Sequence, residues 1–145
     1  MTRNTKVSLI VAGVLLAGSL PTMSGCLRAY REQHKVSVGM SVTTVFRTLD
    51  GWDLCISSYL DEPTHEFGMF NAAKDRDAEL YRISKYNKTF LSKDEFVQFV
   101  GQKMNNGKAW NSQFTYYAGP IRNTFRVDFD ASGKVVNISG MAGGP

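Results

Sequence analysis

Apolar residues recur with helical spacing in two segments of the chain and with alternate spacing in a third. Val42, Val45, Phe46 and Leu49 stand at i, i+3, i+4 and i+7, which puts them on one face of a helix. Ser41 is placed to cap that helix and Met40 to staple onto Val45, while Asp50-Gly51 supplies a stop, because glycine readily takes the left-handed conformation that ends helices. The spacing predicts a second helix over Lys93–Met104 with Phe96, Val97, Val100 and Met104 buried. Ser92 and Glu95 form a capping-box pair there, Leu91 and Phe96 a staple, and Asn105-Asn106-Gly107 an exit. Beyond it the period changes to two. Trp110, Phe114 and Tyr116 alternate with polar residues up to a break at Pro120, and Phe125, Val127 and Phe129 alternate with Arg126, Asp128 and Asp130. Asp130-Ala131-Ser132-Gly133 then turns the chain into a strand over Lys134–Ser139, and Gly140–Pro145 reads as a frayed tail. Residues 52–90 hold neither period for long. A strand around Leu54–Leu60, a loop through Pro63 and a strand around Leu80–Tyr86 are expected, with Asn71–Leu80 compatible with a helix.

The N-terminus has a different build. Arg3 and Lys6 precede an apolar run from Val7 to Leu20, with no acidic residue, and Pro21-Thr22-Met23-Ser24-Gly25-Cys26 follows. A run of this length suits a secretory signal and is short for a membrane span. Met23-Ser24-Gly25-Cys26 resembles the bacterial lipobox, with Met23 where leucine is usual. The resemblance implies cleavage before Cys26, a thioether from its thiol to diacylglycerol and acylation of the new amine by a palmitate-type chain. One acyl chain anchors only marginally, at about 0.8 kcal/mol per buried methylene, so two or three chains give stable membrane attachment. An ordinary signal peptide and an uncleaved anchor are the alternatives that leave Cys26 incidental. Leu27, not aspartate, follows the cysteine. In the best-studied Gram-negative sorting rule an aspartate there retains a lipoprotein at the inner membrane, so the resemblance points to the outer membrane, facing the periplasm. The expected organisation is a signal peptide over 1–25, a lipidated tether over 26–36, a single α+β domain over 37–140 and a flexible tail over 141–145.

Composition narrows the partners. A chain of 145 residues that is 43% hydrophobic has room for one core once a signal is removed. Lys and Arg number 17 against 13 Asp and Glu, but two of the cations lie in the signal, so the pI of 9.1 overstates the basicity of the mature domain. With no dense basic block and no basic–aromatic stripe, nucleic acid is not an expected partner. Two cysteines are present. Lipidation consumes Cys26, which leaves Cys55, between Leu54 and Ile56, to read as a small buried hydrophobe. A Cys26–Cys55 disulfide is the competing arrangement and requires the lipobox reading to fail.

Little in the chain suggests catalysis. Only His34 and His65 occur, and no HExxH, CxxC, Gly-x-Ser-x-Gly or phosphate-cradling glycine loop is found. Asp61, Glu62 and Glu66 around His65, and Asp75, Arg76, Asp77 and Glu79, read as solvated surface. No catalytic residue, metal or cofactor is therefore expected. The aromatic cluster is a better lead: with Trp110, Phe114 and Tyr116 facing a core, alternation turns Tyr117 outwards near exposed Arg122. Tyr and Arg are enriched where partners bind, and these two are the candidate partner-binding residues.

Two segments carry a family resemblance. Val38-Gly39-Met40-Ser41 followed by Val42, Val45 and Leu49, and then the stretch from Phe125 through Asp128, Asp130 and Gly133 to Val135, resemble the SmpA/OmlA (BamE-like) small envelope lipoproteins. That resemblance implies an α+β fold of two helices packed on a small antiparallel sheet of three or more strands. It also implies a protein-binding module in outer-membrane assembly or envelope maintenance, since the best-known member assists the β-barrel assembly machinery. Related architectures include β-lactamase-inhibitory proteins, so an inhibitor or immunity-type lipoprotein that blocks one exported protein is the alternative. Asp50-Gly51-Trp52 stands where the family has Gly-x-Pro, and residues 50–92 separate the helices where the family often has a short turn.

Overall fold

Both helices form where the apolar spacing puts them. The computed structural model describes residues 27–62, 66–71 and 81–144. Helix α1 covers residues 27–33, α2 covers Val42–Thr48 and α3 covers Lys93–Met104. The Ser41 hydroxyl accepts from the Thr44 amide at 3.2 Å and so caps α2. In α3 the dipole is matched by Asp94 and Glu95 in the first turn and Lys103 in the last. Ser92 makes no side-chain cap bond, so the expected capping box is not formed. Gly101 faces α2 closely enough that a Cβ would meet the Thr43 methyl at 2.5 Å, which is why α2 and α3 approach there.

The strands are β1 Leu54–Tyr59, β2 Glu66–Asn71, β3 Tyr81–Ile83, β4 Lys88–Phe90, β5 Trp110–Ala118, β6 Ile121–Phe129 and β7 Val135–Gly144. They form one antiparallel sheet in the order β4-β3-β2-β1-β5-β6-β7. Successive side chains on a strand point to opposite faces, so Cα partners share a face. Cys55 lies opposite Met69 and Phe114, and Phe114 opposite Phe125. These residues face the helices: the Phe114 ring centroid is 5.1 Å from Phe46, 6.1 Å from Trp52 and 5.5 Å from Phe125. Full burial of each such side chain is worth roughly 1.5–3 kcal/mol, and this aromatic layer between helices and sheet is the core.

The start of α2 is tied to the last hairpin. Val42 N–H donates to the Gly133 carbonyl at 3.0 Å, Val135 N–H to Met40 at 2.9 Å and Gly39 N–H to Val135 at 2.8 Å. Asp130 organises the turn: its carboxylate accepts from the Ser132 hydroxyl at 2.6 Å and from the Ser132 and Lys134 amides at 2.9 and 3.0 Å.

Several expectations are corrected. A BamE-like sheet carrying two helices is replaced by seven strands and, among the described residues, three α-helices. The added strands lie in the stretch without clear periodicity, where β2 is paired on both sides and β3 and β4 are only three residues long. Such short strands are defined by their neighbours and not by a pattern of their own. Of the strand expected over Leu80–Tyr86, Tyr81–Ile83 forms β3 and Ser84–Tyr86 a 3₁₀ turn, closed by Asn87 in the left-handed region at φ 45°, while Leu80 lies outside the described residues. Asn71 belongs to β2, while the rest of the segment compatible with a helix, and the loop through Pro63, lie outside the described residues. The tail expected over 141–145 continues β7 as far as Gly144, because the nine-residue β6 offers backbone partners out to Arg122↔Gly144. The tether expected over 26–36 is in part α1, which buries Ala29 and Glu32.

Candidate functional site

The rings of α2 and α3 pack on the side of the sheet that carries Phe114 and Tyr81, so the other side presents β5, β6 and β7 side chains of the opposite parity. Tyr117 and Arg122 are Cα partners across β5 and β6, both exposed, with Tyr117 42% accessible. The structure thus brings together the two candidate binding residues, one pair in from the Gly119-Pro120 turn. Tyr117 is held in place by its backbone, whose amide donates to the Asp53 carboxylate at 2.7 Å.

Further along the same face the side chains are polar and bonded to one another. Thr115 and Thr124 hydroxyls are 2.9 Å apart, and Asn111 donates to the Ser58 hydroxyl at 2.8 Å. Arg126 Nε donates to Asp128 at 2.6 Å, and Asn137 to the other Asp128 oxygen at 3.1 Å. Ser58, Asn111, Thr115 and Asp128 are buried by these neighbours. Most of these polar groups are satisfied within the surface, the buried Asn111 Oδ1 being the exception, which leaves Tyr117, Arg122 and exposed Gln113 as its outward groups.

Buried polar groups gather on the helix side. Cys55 is a free, buried thiol, as its apolar neighbours predicted. Burial pushes the thiol well above its ordinary range despite the nearby Ser57 and Ser112 hydroxyls, so it stays protonated and unreactive. Those two hydroxyls bond to each other at 2.6 Å. Tyr116 and Asn123 are Cα partners, and the Tyr116 hydroxyl and Asn123 amide nitrogen are buried without a hydrogen-bond partner. Burial pushes the Tyr116 phenol upward, and the charge of Glu32 adds to the shift. Glu32 is only 2% exposed; its carboxylate accepts from Lys35 Nζ at 2.7 Å and from the Asp50 amide at 3.1 Å. Sequence reasoning missed this carboxylate, because a charged residue in a polar stretch reads as solvated.

The other sequence-derived positions are scattered. Cys26 and the motif residues Met23, Ser24 and Gly25 lie outside the described residues, as does His65. His34 packs its ring on Tyr30, with Nδ1 2.8 Å from the Tyr30 carbonyl. Among the described residues no group of three or more His, Cys, Asp or Glu is placed to hold a metal ion. Comparison of the chain with protein-family models, with curated proteins and with solved structures finds no match.

Proposed function

We propose that this chain is a lipoprotein, held at a bacterial membrane through Cys26, whose domain binds another envelope protein and performs no catalysis. The address rests on the N-terminal pattern that ends in Met23-Ser24-Gly25-Cys26. The observation that carries the binding role is the exposed Tyr117–Arg122 cross-strand pair on the side of the sheet away from α2 and α3. A rigid aromatic beside a guanidinium is the combination that anchors protein interfaces, and the tie from the Tyr117 amide to Asp53 fixes its position beforehand. With seven strands the ground for carrying over a β-barrel-assembly role is removed, so the partner is defined here only as an exported or envelope protein.

The test is a photo-crosslinker at Gln113, on the same face four residues before Tyr117, in the full-length chain expressed in a Gram-negative host, combined with mass spectrometry of its mature N-terminus. A diacylglyceryl-modified Cys26 and a discrete protein adduct lost in Tyr117→Ala are expected. An unmodified Cys26 thiol overturns the address; an adduct pattern indifferent to Tyr117→Ala overturns the binding face.

A further inference from the structure

The β4 edge of the sheet carries a second surface, far along the sheet order from the Tyr117–Arg122 pair. β4 is the terminal strand among the described residues, and a terminal strand presents backbone groups that can pair with another chain. Its three residues, Lys88, Thr89 and Phe90, form one wall of a groove of about 260 Å³. The other wall is a stripe of α3, Glu95, Gln98, Phe99 and Gln102, at i, i+3, i+4 and i+7. An edge strand flanked by a trough of side chains is the geometry in which an extended peptide gains main-chain bonds on one side and side-chain pockets on the other.

The charges at the groove, Lys88 in its lining and Lys103 beyond it against the Phe99 ring, select the peptide. Lys88 Nζ lies 4.7 Å from the Phe99 ring centroid and 5.1 Å from that of Phe90. Lys103 Nζ lies 5.3 Å from the same Phe99 ring and 4.9 Å from Tyr86. Two ammonium groups thus converge on one phenyl ring, and neither makes an ion pair among the described residues. Ammonium groups held beside the same apolar ring without an ion pair are stabilised by carboxylates brought to them. Glu95 sits one turn nearer the helix start than Phe99, so the groove is basic at one end and acidic at the other.

We propose that this groove binds an extended acidic peptide of a partner protein, which adds to the β4 edge and places carboxylates on Lys88 and on Lys103. The inference rests on the protein-binding reading for the nature of its partner, but on a different surface. Aliphatic residues of the peptide pack on Phe99 and Phe90, and the segment opposite Glu95 is neutral or basic.

Fluorescence polarisation of a short labelled peptide that alternates valine with glutamate in one half and valine with threonine in the other, titrated with the full-length chain, tests this. Saturable binding is expected, lost when lysine replaces glutamate in the peptide and weakened by rising salt. Lys88→Gln combined with Lys103→Gln should lower affinity about tenfold, as loss of partnered charges at an interface does. Backbone N-methylation of the peptide should abolish binding, and amide exchange at residues 88–90 should slow when the unmodified peptide is added. Equal binding of both peptides, indifference to salt, or an unchanged affinity in the double variant overturns the groove. So does lysine-dependent binding to phosphatidylglycerol vesicles without binding to the peptide. The salt series on the unaltered chain stands even if the double variant fails to fold. Tyr117→Ala separates the two surfaces: it should leave peptide affinity unchanged while removing the crosslink at Gln113, and peptide failure with that crosslink intact overturns the groove alone.

Discussion

The two flanks of the sheet, either side of β1, are held by different forces. On one flank β5, β6 and β7 are nine or ten residues long and run through extended ladders. Phe125 stacks between Phe114 and Tyr116, at interplanar angles of 27° and 16°. On the other flank β3 and β4 contribute three residues each, and the rings do more of the holding. Tyr81 stacks on Phe96 of α3 at 4.5 Å and 14°, and Phe90 packs against Phe96 and Phe99. Backbone pairing is local to neighbouring strands, whereas ring packing onto α3 joins segments distant from the ladder. The short flank is therefore only as stable as its helix, and the long flank carries much of its own support.

Replacing the long-flank residue that packs on Trp52, whose ring in turn packs on Tyr81 of the short flank, has the largest effect. Phe114 touches α2, the Trp52 ring and β6, so Phe114→Ala should cost about 3–5 kcal/mol, and denaturant unfolding should show both flanks lost in one transition. If the short flank melted separately in that variant, the two would be less coupled than the rings imply. Gly133→Ala strikes the end of the long flank where it meets the C-cap of α3. Its φ of 77° is left-handed and a Cβ there would collide with the Asn105 side chain, so about 1–3 kcal/mol should be lost. The melting temperature measures it, and a change within error would show that the turn relaxes freely.

Phe99→Ala sharpens the contrast from the opposite side. Removing a half-buried ring that contacts Phe90 and Tyr86 should cost roughly 1–2 kcal/mol. Hydrogen exchange should quicken at residues 81–90 and stay slow in β6 and β7; uniform quickening would dissolve the distinction. Tyr116→Phe is smaller and of the other sign. The hydroxyl is buried with no partner, so its removal should leave stability unchanged or raise it by up to about 1 kcal/mol. A clear loss of stability would reveal that the hydroxyl is bonded.

Last comes a pH effect at the β6–β7 turn. The Ser132 hydroxyl, followed by the Lys134 and Ser132 amides, holds the Asp130 carboxyl below its ordinary range. A folded value below the unfolded one means that this contribution is complete above about pH 4 and is lost as pH falls through the lower folded value. Thermal melts of Asp130→Asn should therefore lose the part of the acid dependence that belongs to this turn, and superimposable acid profiles would remove Asp130 from the account.

Legibility in the sequence followed the same division. The β6–β7 hairpin could be read because alternation persists through Phe125, Val127 and Phe129 up to a turn of recognisable chemistry, and α3 because Phe96, Val97, Val100 and Met104 keep one face. In β1 the alternation is blurred. Ser57 is fully buried beside Cys55 because its hydroxyl is satisfied by Ser112, a bond across fifty-five residues that no local pattern displays. β4 reads as Lys-Thr-Phe, with one buried residue out of three. The outward position of Tyr117 followed from its adjacency to Tyr116, since neighbouring strand residues face opposite ways. Its placement opposite Arg122 needed the register of β5 on β6. The approach of both Lys88 and Lys103 to Phe99 depends on where α3 lies against the sheet edge, which spacing along the chain does not encode.

Helix α1 bears on the reach of the domain. Arg28 donates to the Gly51 carbonyl at 3.4 Å, Glu32 accepts from the Asp50 amide and Gln33 donates to the Ser139 carbonyl at 3.4 Å. The first residues after Cys26 are thereby fastened to the body they lead into, not paid out as a leash. Under the lipoprotein reading, a globule with a radius of gyration near 13 Å, about the value for a hundred residues, would ride against the bilayer. Its encounters would be confined to a thin layer, where local concentration compensates for modest affinity. A glycine–serine insert after Leu27 would lengthen the leash, relax that confinement and change which proteins it meets without touching either binding surface.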